Sequence, residues 1–229
     1  MAFKLHKVVP WGRSLEEYQK FFCLRDMDLN KNILSVADGP ASFNSEMKNF
    51  NEKIVSYDPI YAFSVNEIQN RIDETVELIK SETKENALNF IWKEYKNPEE
   101  LFTKRINAMG LFLNDLDDGK MEKRYIAGEL PNLPFRDDEF DLILCSHFLF
   151  LYTEHFSLSN HIQSIKEMMR VGKEARIFPV LDLDAKKSSF LHPVIEEMQQ
   201  MNYTCTLEKV PYEFQKDGNE MLKIIRDAN

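Results

Sequence analysis

The sequence predicts an α/β fold in which a mostly parallel sheet of seven strands has helices on both faces. Two observations lead to this prediction. Short apolar runs alternate along the chain with amphipathic stretches at helical spacing, which is typical of α/β proteins. The last two strand-like runs are separated by Asp217-Gly218, a hairpin signal that predicts an antiparallel final strand.

Composition limits the classes of function. The chain has 229 residues, of which 43% are hydrophobic and 29% charged, so we expect a single domain over residues 1–229 with a packed core. A formal net charge of -9 disfavours nucleic acid as a partner, because its phosphates would be repelled. The oligomeric state is left open.

The cysteines and the apolar runs indicate in which cellular compartment the protein is expected. Cys23, Cys145 and Cys205 have neither the spacing of metal ligands nor a disulfide pattern, so we expect no metal site and a reducing, cytoplasmic setting. Residues 1–14 are too polar for a signal peptide. No apolar stretch has the length needed to span a bilayer, so no membrane partner is expected.

Seven segments have the apolar character of strands: residues 32–37, 53–57, 124–127, 140–145, 175–181, 203–214 and 221–226. Helix starts are predicted by capping boxes at Ser14 with Glu17 and at Ser64 with Glu67, and by Pro98 after Asn97. Apolar residues at helical spacing predict further helices from about residue 42 and around 162–169 and 194–201.

Between the second and third strands, residues 63–123 have two helical patterns and no Gly/Ser-rich linker. We interpret this segment as a helical insertion of the same domain. The expected buried stripes are Val65, Ile68, Ile72, Val76 and Ile79, then Phe102, Ile106, Met109, Leu113 and Leu116.

The first candidate site is the turn after the first strand. The small residues Gly39 and Ala41 would let a ligand approach the backbone, and the following helix offers free N–H groups. Asp58 ends the next strand, 19 positions after Gly39, where a carboxylate is placed to accept ribose hydroxyls. Each feature by itself also fits a structural turn.

Further candidates follow the third and fourth strands. Glu129 and Leu130 come after the third, and Ser146 and His147 after the fourth. Because ligands of open α/β sheets bind outside the carboxyl ends of the strands, we expect these residues to line one cleft with Asp58.

At this point the sequence resembles the class I (Rossmann-like) S-adenosylmethionine-dependent methyltransferases. The segments that carry the resemblance are SVADGPASF, VSYDPIY, GELPNLPFRDDEFDLILCSHFLFLY and IKEMMRVGKEARIFPVL. The resemblance implies S-adenosylmethionine as cofactor and a Rossmann-like methyltransferase sheet. The sequence departs from the family pattern at Ala37 and Ala41, where glycines are usual, and at Ser35, where an acidic residue is common.

The resemblance also implies roles for individual residues. Ala37, Asp38 and Gly39 would contact the methionine moiety, with Pro40 in the same turn. Asp58 would hold the ribose, with Pro59 beside it. Glu129 and the Leu130 backbone would meet the adenine, and Ser146 and His147 would lie beside the sulfonium.

Two of the predicted site residues have weaker support. His147 is a candidate general base, since imidazole titrates near neutrality, although a hydrogen-bonding role fits it as well. Arg13 would reach the cofactor carboxylate as a bidentate donor, or would be an ordinary surface arginine. The aromatic residues Phe148, Phe150, Tyr152 and Phe156 are candidates for an aromatic substrate wall or for core packing.

The sequence therefore predicts an S-adenosylmethionine-dependent methyltransferase acting on a small-molecule acceptor. One alternative is a protein that binds S-adenosylmethionine without catalysis. A nicotinamide-dependent oxidoreductase is a second alternative, disfavoured because no G-x-G-x-x-G follows the first strand. The first helix and the 63–123 insertion are candidate lids over the cleft.

Overall fold

The computed structural model describes residues 11–50, 53–85 and 87–226. Residues 1–10, most of the segment expected not to be a signal peptide, lie outside the described residues. One sheet contains seven strands: β1 (Ile33–Val36), β2 (Ile54–Tyr57), β3 (Tyr125–Ile126), β4 (Leu142–Ser146), β5 (Glu174–Phe178), β6 (Tyr203–Lys209) and β7 (Glu220–Arg226). Their order is β3-β2-β1-β4-β5-β7-β6. Among these strands β7 alone runs in the direction opposite to the other six, which confirms the predicted fold class.

Seven α-helices accompany the sheet in the described residues: α1 (Leu15–Phe21), α2 (Asp26–Leu29), α3 (Phe43–Met47), α4 (Val65–Glu85), α5 (Pro98–Met121), α6 (Leu158–Val171) and α7 (Leu191–Gln200). The predicted helix starts are confirmed at α1 and α5. The Ser14–Glu17 capping box forms in both directions, and the Asn97 side chain accepts a hydrogen bond from the Glu100 N–H at 2.8 Å. These caps satisfy N–H groups that a helix cannot pair internally.

The sheet has a hydrophobic core on each face. In β4, Ile143 belongs to a core shared with Met168 of α6, whereas Leu142 belongs to a core shared with Phe21 of α1. This alternation follows from the two-residue period of a strand. Both faces of the central strands are buried, as expected where helices cover a parallel sheet on both sides.

The segment between β2 and β3 contains α4 and α5, which pack on each other and on the β3 edge through Ile68, Phe112, Leu116 and Tyr125. Ile106, predicted to lie on the buried stripe, is 47% exposed. The stripe prediction is wrong there because α5 has contacts on two sides and buries Leu101, Arg105 and Ala108 as well as its α4-facing residues.

The chain between β6 and β7 differs from its predicted form. β6 ends at Lys209 and not at Phe214, and residues 210–219 form a loop instead of a two-residue turn at Asp217-Gly218. The loop leaves the sheet because Tyr212 is buried in the α1-side core and the Phe214 carbonyl accepts the Ile91 N–H at 2.8 Å. Tertiary contacts thus lengthen the connection, although β6 and β7 pair in antiparallel as predicted.

A buried ion pair joins α1 to α5. One guanidinium nitrogen of Arg105 donates to both carboxylate oxygens of Glu17, and the other donates to the Tyr95 hydroxyl at 2.9 Å. Burial by itself would raise the pKa of Glu17, but the charges of Arg105 and Arg13 hold it at about 2. This pair fixes the first helix against the insertion.

Ala41 lies in the α1-side core beside Tyr18 and Phe43 and is 0% exposed. The expectation that Ala41 leaves room for a ligand is therefore wrong, because the residue belongs to this core and does not line the cavity. A larger side chain would meet the core and not the cleft.

We predict that Ala41→Val lowers the free energy of unfolding by about 1–3 kcal/mol, the usual cost of adding methyl groups to a packed core. Urea denaturation monitored by circular dichroism measures this change. Ala127→Val, at an exposed alanine, is the matched control and should leave stability almost unchanged. A stable Ala41→Val protein would contradict the tight packing.

We predict that Arg105→Met costs about 3–5 kcal/mol of stability at pH 7, because it leaves the Glu17 carboxylate buried without a counterion. The pair Glu17→Gln with Arg105→Met should cost clearly less. The folded-state pKa of Glu17 is lowered to about 2, so its stabilising contribution is complete above its ordinary pKa near 4.5 and is lost as the pH falls toward 2. Urea titrations across this range should show a shallower acid dependence for Glu17→Gln; an unchanged dependence would refute the assignment.

Candidate functional site

A cavity of about 780 Å³ opens at the carboxyl ends of the parallel strands. The chain passes from β1 outward to β2 and β3 and then returns to β4 on the other side of β1, so β1 and β4 form the switch point at which such crevices arise. Apart from Ala41, every residue to which the sequence analysis assigned a role in cofactor binding or catalysis lines this cavity: Arg13, Ala37, Asp38, Gly39, Pro40, Asp58, Pro59, Glu129, Leu130, Ser146 and His147.

The turn after β1 is held in a left-handed conformation. Ala37 and Gly39 have φ angles of 53° and 57°, values that favour glycine and strain other residues. The Gly39 N–H donates to a carboxylate oxygen of Asp58 at 2.9 Å, and its carbonyl accepts the Tyr61 hydroxyl at 2.9 Å. No atom lies within 4 Å of a Cβ placed on Gly39. The glycine therefore serves the backbone conformation and leaves open space on the cavity side.

Asp38 lies under this turn, and its carboxylate is engaged within the protein. It accepts hydrogen bonds from the hydroxyls of Ser35 and Ser56, both at 2.5 Å, and from the Tyr18 hydroxyl. The side chain is 6% exposed, and burial raises its pKa although the three hydroxyls oppose this effect. With its oxygens occupied by hydroxyls of α1, β1 and β2, the Asp38 carboxylate supports the turn instead of facing a ligand. A ligand would meet the Asp38 backbone.

The Asp58 carboxylate, at the end of β2, is hydrogen-bonded to the turn that follows β1. One carboxylate oxygen accepts the Gly39 N–H, and the other accepts the Ile60 N–H at 2.8 Å. Burial raises the pKa of Asp58 to about 6, with a smaller contribution from the charge of Asp38, against the effect of the two N–H donors. Each carboxylate oxygen has a second lone pair for a ligand hydroxyl.

The segment after β3 forms the next wall. A Cβ placed on Gly128 would lie 2.0 Å from the Tyr57 hydroxyl, so only glycine allows the chain to pass here. The Tyr57 hydroxyl donates to the Asn132 carbonyl at 2.8 Å, which holds the loop against β2. Glu129 is exposed at the rim, where its carboxylate is accessible to a ligand.

His147 follows β4 with a φ angle of 51°. Its backbone N–H donates to the Phe178 carbonyl at 2.6 Å, and its ring Nδ1 lies 2.9 Å from the Ser146 hydroxyl. The ring packs edge-on against Phe21 and Phe178. Burial, with the charges of Arg13 and Arg105, holds the pKa of His147 well below its usual value. The imidazole is therefore neutral at pH 7 and able to accept a hydrogen bond.

Arg13 lies beside the turn, since its carbonyl accepts the Ser42 N–H at 2.9 Å. One terminal nitrogen of its guanidinium donates to the Trp11 carbonyl at 3.0 Å. Its buried Nε has no hydrogen-bond partner among the described residues. Burial lowers the pKa of Arg13, and the charge of Arg105 adds to this effect. Arg13 is therefore a cation of the cavity wall and not an ordinary surface residue.

Three residues line the cavity although the sequence did not predict it. Arg105 lies within the apolar pattern of α5, and Tyr212 and Phe214 belong to a segment predicted to be a strand. The one available signal was a basic residue four positions after Leu101 on a face that is otherwise apolar. Of the four aromatic residues considered as a substrate wall, Phe148, Tyr152 and Phe156 line the cavity, whereas Phe150 is buried in the core.

Two functional features are not found in the described residues. No group of three or more His, Cys, Asp or Glu side chains is arranged to hold a metal ion within them. None of the helices in these ranges combines the length and apolar character needed to cross a membrane.

Comparison with known sequences gives two matches. Residues 94–178, from before α5 to the end of β5, match the family described as methyltransferase domain. The turn at Asp38 and the residue Asp58 lie outside this range. The uncharacterized protein MJ0045 of Methanocaldococcus jannaschii is 34% identical over 223 residues, which cover 97% of this chain and 98% of that protein.

Solved structures with a similar arrangement have low sequence identity. The YcgJ protein from Bacillus subtilis is 13% identical, with a TM-score of 0.47 and coverage of 94% of this chain and 98% of that one. Magnesium protoporphyrin IX methyltransferase from Synechocystis, crystallised with S-adenosylmethionine, is 10% identical, with a TM-score of 0.44 and coverage of 88% and 73%.

The likeness to the archaeal protein extends over almost the whole of both chains, and the methyltransferase-domain match contains α5, β3, β4, α6 and β5. The methyltransferase domain that the sequence motifs predict is confirmed by the match over residues 94–178. The chain belongs to one family with the archaeal protein MJ0045, and it contains a methyltransferase domain.

Proposed function

We propose that this protein transfers the methyl group of S-adenosylmethionine to a small-molecule acceptor bound in the same cavity. One observation carries the proposal: segments after four parallel strands meet at one cavity of about 780 Å³. This volume lies within the range of small-molecule and cofactor sites.

The strand-end contacts support a position for each part of the cofactor. The turn from Ala37 to Pro40 would contact the methionine moiety through its backbone, with Arg13 beside its carboxylate. The Asp58 oxygens would accept the ribose hydroxyls, with Pro59 at the same strand end. Glu129 and the Leu130 backbone would meet the adenine. Ser146 and His147 would then lie next to the sulfonium.

Methyl transfer requires little chemistry from the protein. A lone pair of the acceptor forms a bond to the methyl carbon, the carbon–sulfur bond breaks, and its electrons remain on sulfur as the thioether of S-adenosylhomocysteine. In-line placement supplies most of the acceleration. The neutral imidazole of His147 is suited to accept a hydrogen bond from an acceptor hydroxyl or amine, whereas its lowered pKa disfavours full transfer of the proton to it.

The elements above the sheet favour a small acceptor. Ile68, Arg71 and Thr83 of α4 and Arg105 of α5 line the same cavity as the strand ends. These helices would cover a bound acceptor and exclude water from the reacting atoms. We therefore propose the segment between β2 and β3 as a lid that belongs to the methyltransferase domain.

We predict that purified protein binds S-adenosylhomocysteine and does not bind NAD in isothermal titration calorimetry. Asp58→Ala should weaken binding by about 1–3 kcal/mol, because the ribose hydroxyls lose a charged acceptor. Because the pKa of Asp58 is about 6, affinity for the cofactor should also fall as the pH drops through 6 and the carboxylate is neutralised.

Asp117→Ala, at an exposed residue of α5, is the control and should bind the cofactor like the parent. NAD binding in preference to S-adenosylhomocysteine would support an oxidoreductase instead. Binding of S-adenosylmethionine without methyl transfer to any compound of a broad acceptor panel would favour a binding protein that lacks catalysis.

We predict that S-adenosylhomocysteine slows amide hydrogen exchange in α4 and in the residues around α1, and not only in the strand-end loops. The reason is that a lid is ordered by the ligand that it covers. Mass spectrometry of exchange with and without the ligand measures this. Protection confined to the loops at Asp38, Asp58 and Glu129 would leave α4 as a scaffold element.

A further inference from the structure

The two ring nitrogens of His147 have different surroundings. Nδ1 lies 2.9 Å from the Ser146 hydroxyl. Nε2 has no hydrogen-bond partner among the described residues and keeps accessible surface at the cavity, which His147 lines. Edge-on contacts with Phe21 and Phe178, at centroid distances of 4.8 and 5.2 Å, fix the ring in this orientation. Nε2 is therefore the ring nitrogen that a bound molecule can reach.

The hydrogen that this ring carries determines what Nε2 offers to the cavity. Burial, with the charges of Arg13 and Arg105, holds the pKa of His147 well below its usual value, so the ring is neutral at pH 7. A neutral imidazole has one N–H, and the hydrogen bond of one nitrogen decides which of the two is protonated. With the hydrogen on Nδ1, Nε2 presents a lone pair. With the hydrogen on Nε2, the cavity meets a donor instead.

A chain of hydroxyl groups leads from Asp38 to His147. The Asp38 carboxylate only accepts hydrogen bonds, so it takes the single hydrogen of the Tyr18 hydroxyl and that of the Ser35 hydroxyl. Burial raises the pKa of Tyr18 well above its usual range, and hydrogen-bond contacts with Ser35 and Ser146 oppose this effect. Because the hydrogen of Ser35 is on Asp38, Ser146 is the hydroxyl that donates to the Tyr18 oxygen.

This chain assigns the hydrogen of the imidazole. The Ser146 hydroxyl has one hydrogen, and with that hydrogen on Tyr18 its oxygen can only accept from Nδ1. We propose that Tyr18 and Ser146 are positioning residues that hold His147 with its proton on Nδ1, and that Nε2 accepts a hydrogen bond from the N–H of a neutral amine, the methyl acceptor. The identity of this molecule as a methyl acceptor rests on the proposed function, whereas the position of the proton does not.

An amine fits this place better than a hydroxyl compound. A neutral amine has both a hydrogen for Nε2 and a lone pair for the methyl carbon. Its nitrogen attacks, the carbon–sulfur bond breaks with its electrons on sulfur, and the resulting N-methylammonium ion loses a proton to solvent. A hydroxyl group would have to lose its hydrogen to attack equally well. The pKa of His147, which burial lowers, makes the ring a poor base for that step.

The charges around the cavity agree with a cationic product. Among the described residues, its lining has three arginines and five carboxylates, those of Asp38, Asp58, Glu67, Glu74 and Glu129. During the transfer one positive charge moves from the sulfonium to the nitrogen and stays within this lining. A surplus of carboxylates favours that charge and disfavours an anionic methyl acceptor.

The position of the proton is tested by two-bond ¹H–¹⁵N correlation spectra of free protein labelled with [¹⁵N]histidine at pH 7. The His147 signals are those missing from His147→Gln. We expect the form protonated on Nδ1 to exceed the other by about fivefold or more, as one net hydrogen bond predicts. Tyr18→Phe frees the Ser146 hydrogen for Nδ1, and Ser146→Ala removes the partner of the Nδ1 hydrogen. Each variant should lower this ratio to about one or less.

Tyr125→Phe is the matched control, because Tyr125 is a buried tyrosine whose hydroxyl donates to the Asp115 carboxylate at 3.1 Å. It lies on β3, three strands away from β4, and its variant should keep the parent ratio. A parent protonated on Nε2 or on both nitrogens would overturn the inference. So would an unchanged ratio in Tyr18→Phe or in Ser146→Ala. If Tyr18→Phe does not fold, the parent and Ser146→Ala still decide.

The class of methyl acceptor is tested with radiolabelled S-adenosylmethionine on aniline, benzylamine and 2-phenylethylamine, each paired with its hydroxyl counterpart: phenol, benzyl alcohol and 2-phenylethanol. We expect at least one amine to be methylated about tenfold faster than its counterpart. Transfer to none of the amines, or faster transfer to a hydroxyl counterpart, would overturn the acceptor assignment. A protein that does not bind S-adenosylhomocysteine would refute the proposed function, and the spectra of the free protein would still decide the role of Tyr18 and Ser146.

Discussion

The architecture of the site depends on one buried carboxylate. Asp38 follows β1 directly, and its oxygens accept hydrogen bonds from hydroxyls of α1, β1 and β2. An unpaired carboxylate at this depth would be strongly unfavourable, so the three donors hold their elements in one arrangement around it. The left-handed turn at Gly39 rests on this group and is tied from the other side by Asp58. The backbone that faces the cavity is consequently placed by polar contacts inside the core.

The opposite wall of the cavity depends on a second buried charge. Arg105 brings α5 of the inserted segment to Glu17 of the first helix. Such a pair adds less net stability than its geometry suggests, because both ions lose their hydration. Its effect is to fix which side of α5 faces the cavity and to keep two guanidinium groups next to His147. Burial, together with the charges of Arg13 and Arg105, also keeps the pKa of the imidazole low and the ring neutral.

The sequence predicts the strands of the sheet and the helix starts better than it predicts the segments that form the walls of the cavity. Apolar runs identify the buried strands because a central parallel strand is covered on both faces, and capping residues identify helix starts because their hydrogen bonds are local. The loop after β6 was assigned wrongly, since the burial of Tyr212 and the bond from Ile91 to Phe214 join distant segments. Ile106 was misplaced for a related reason: periodicity gives the spacing of a buried face but not the number of neighbours around a helix.

The candidate site shows the same division between local and tertiary information. The order of strands and turns in the sequence was enough to bring Asp38, Asp58, Glu129 and His147 to one edge of the sheet, because parallel strands end on the same side. The direction of the Asp38 carboxylate, the burial of Ala41 and the presence of Arg105 in the wall were decided only by tertiary structure. Each of these depends on which side chains from separate elements meet in space, and side-chain contacts over such sequence distances leave no local pattern. The chain itself thus determines the class of fold and the positions of the cofactor motifs, whereas packing determines which of their atoms remain available to a ligand.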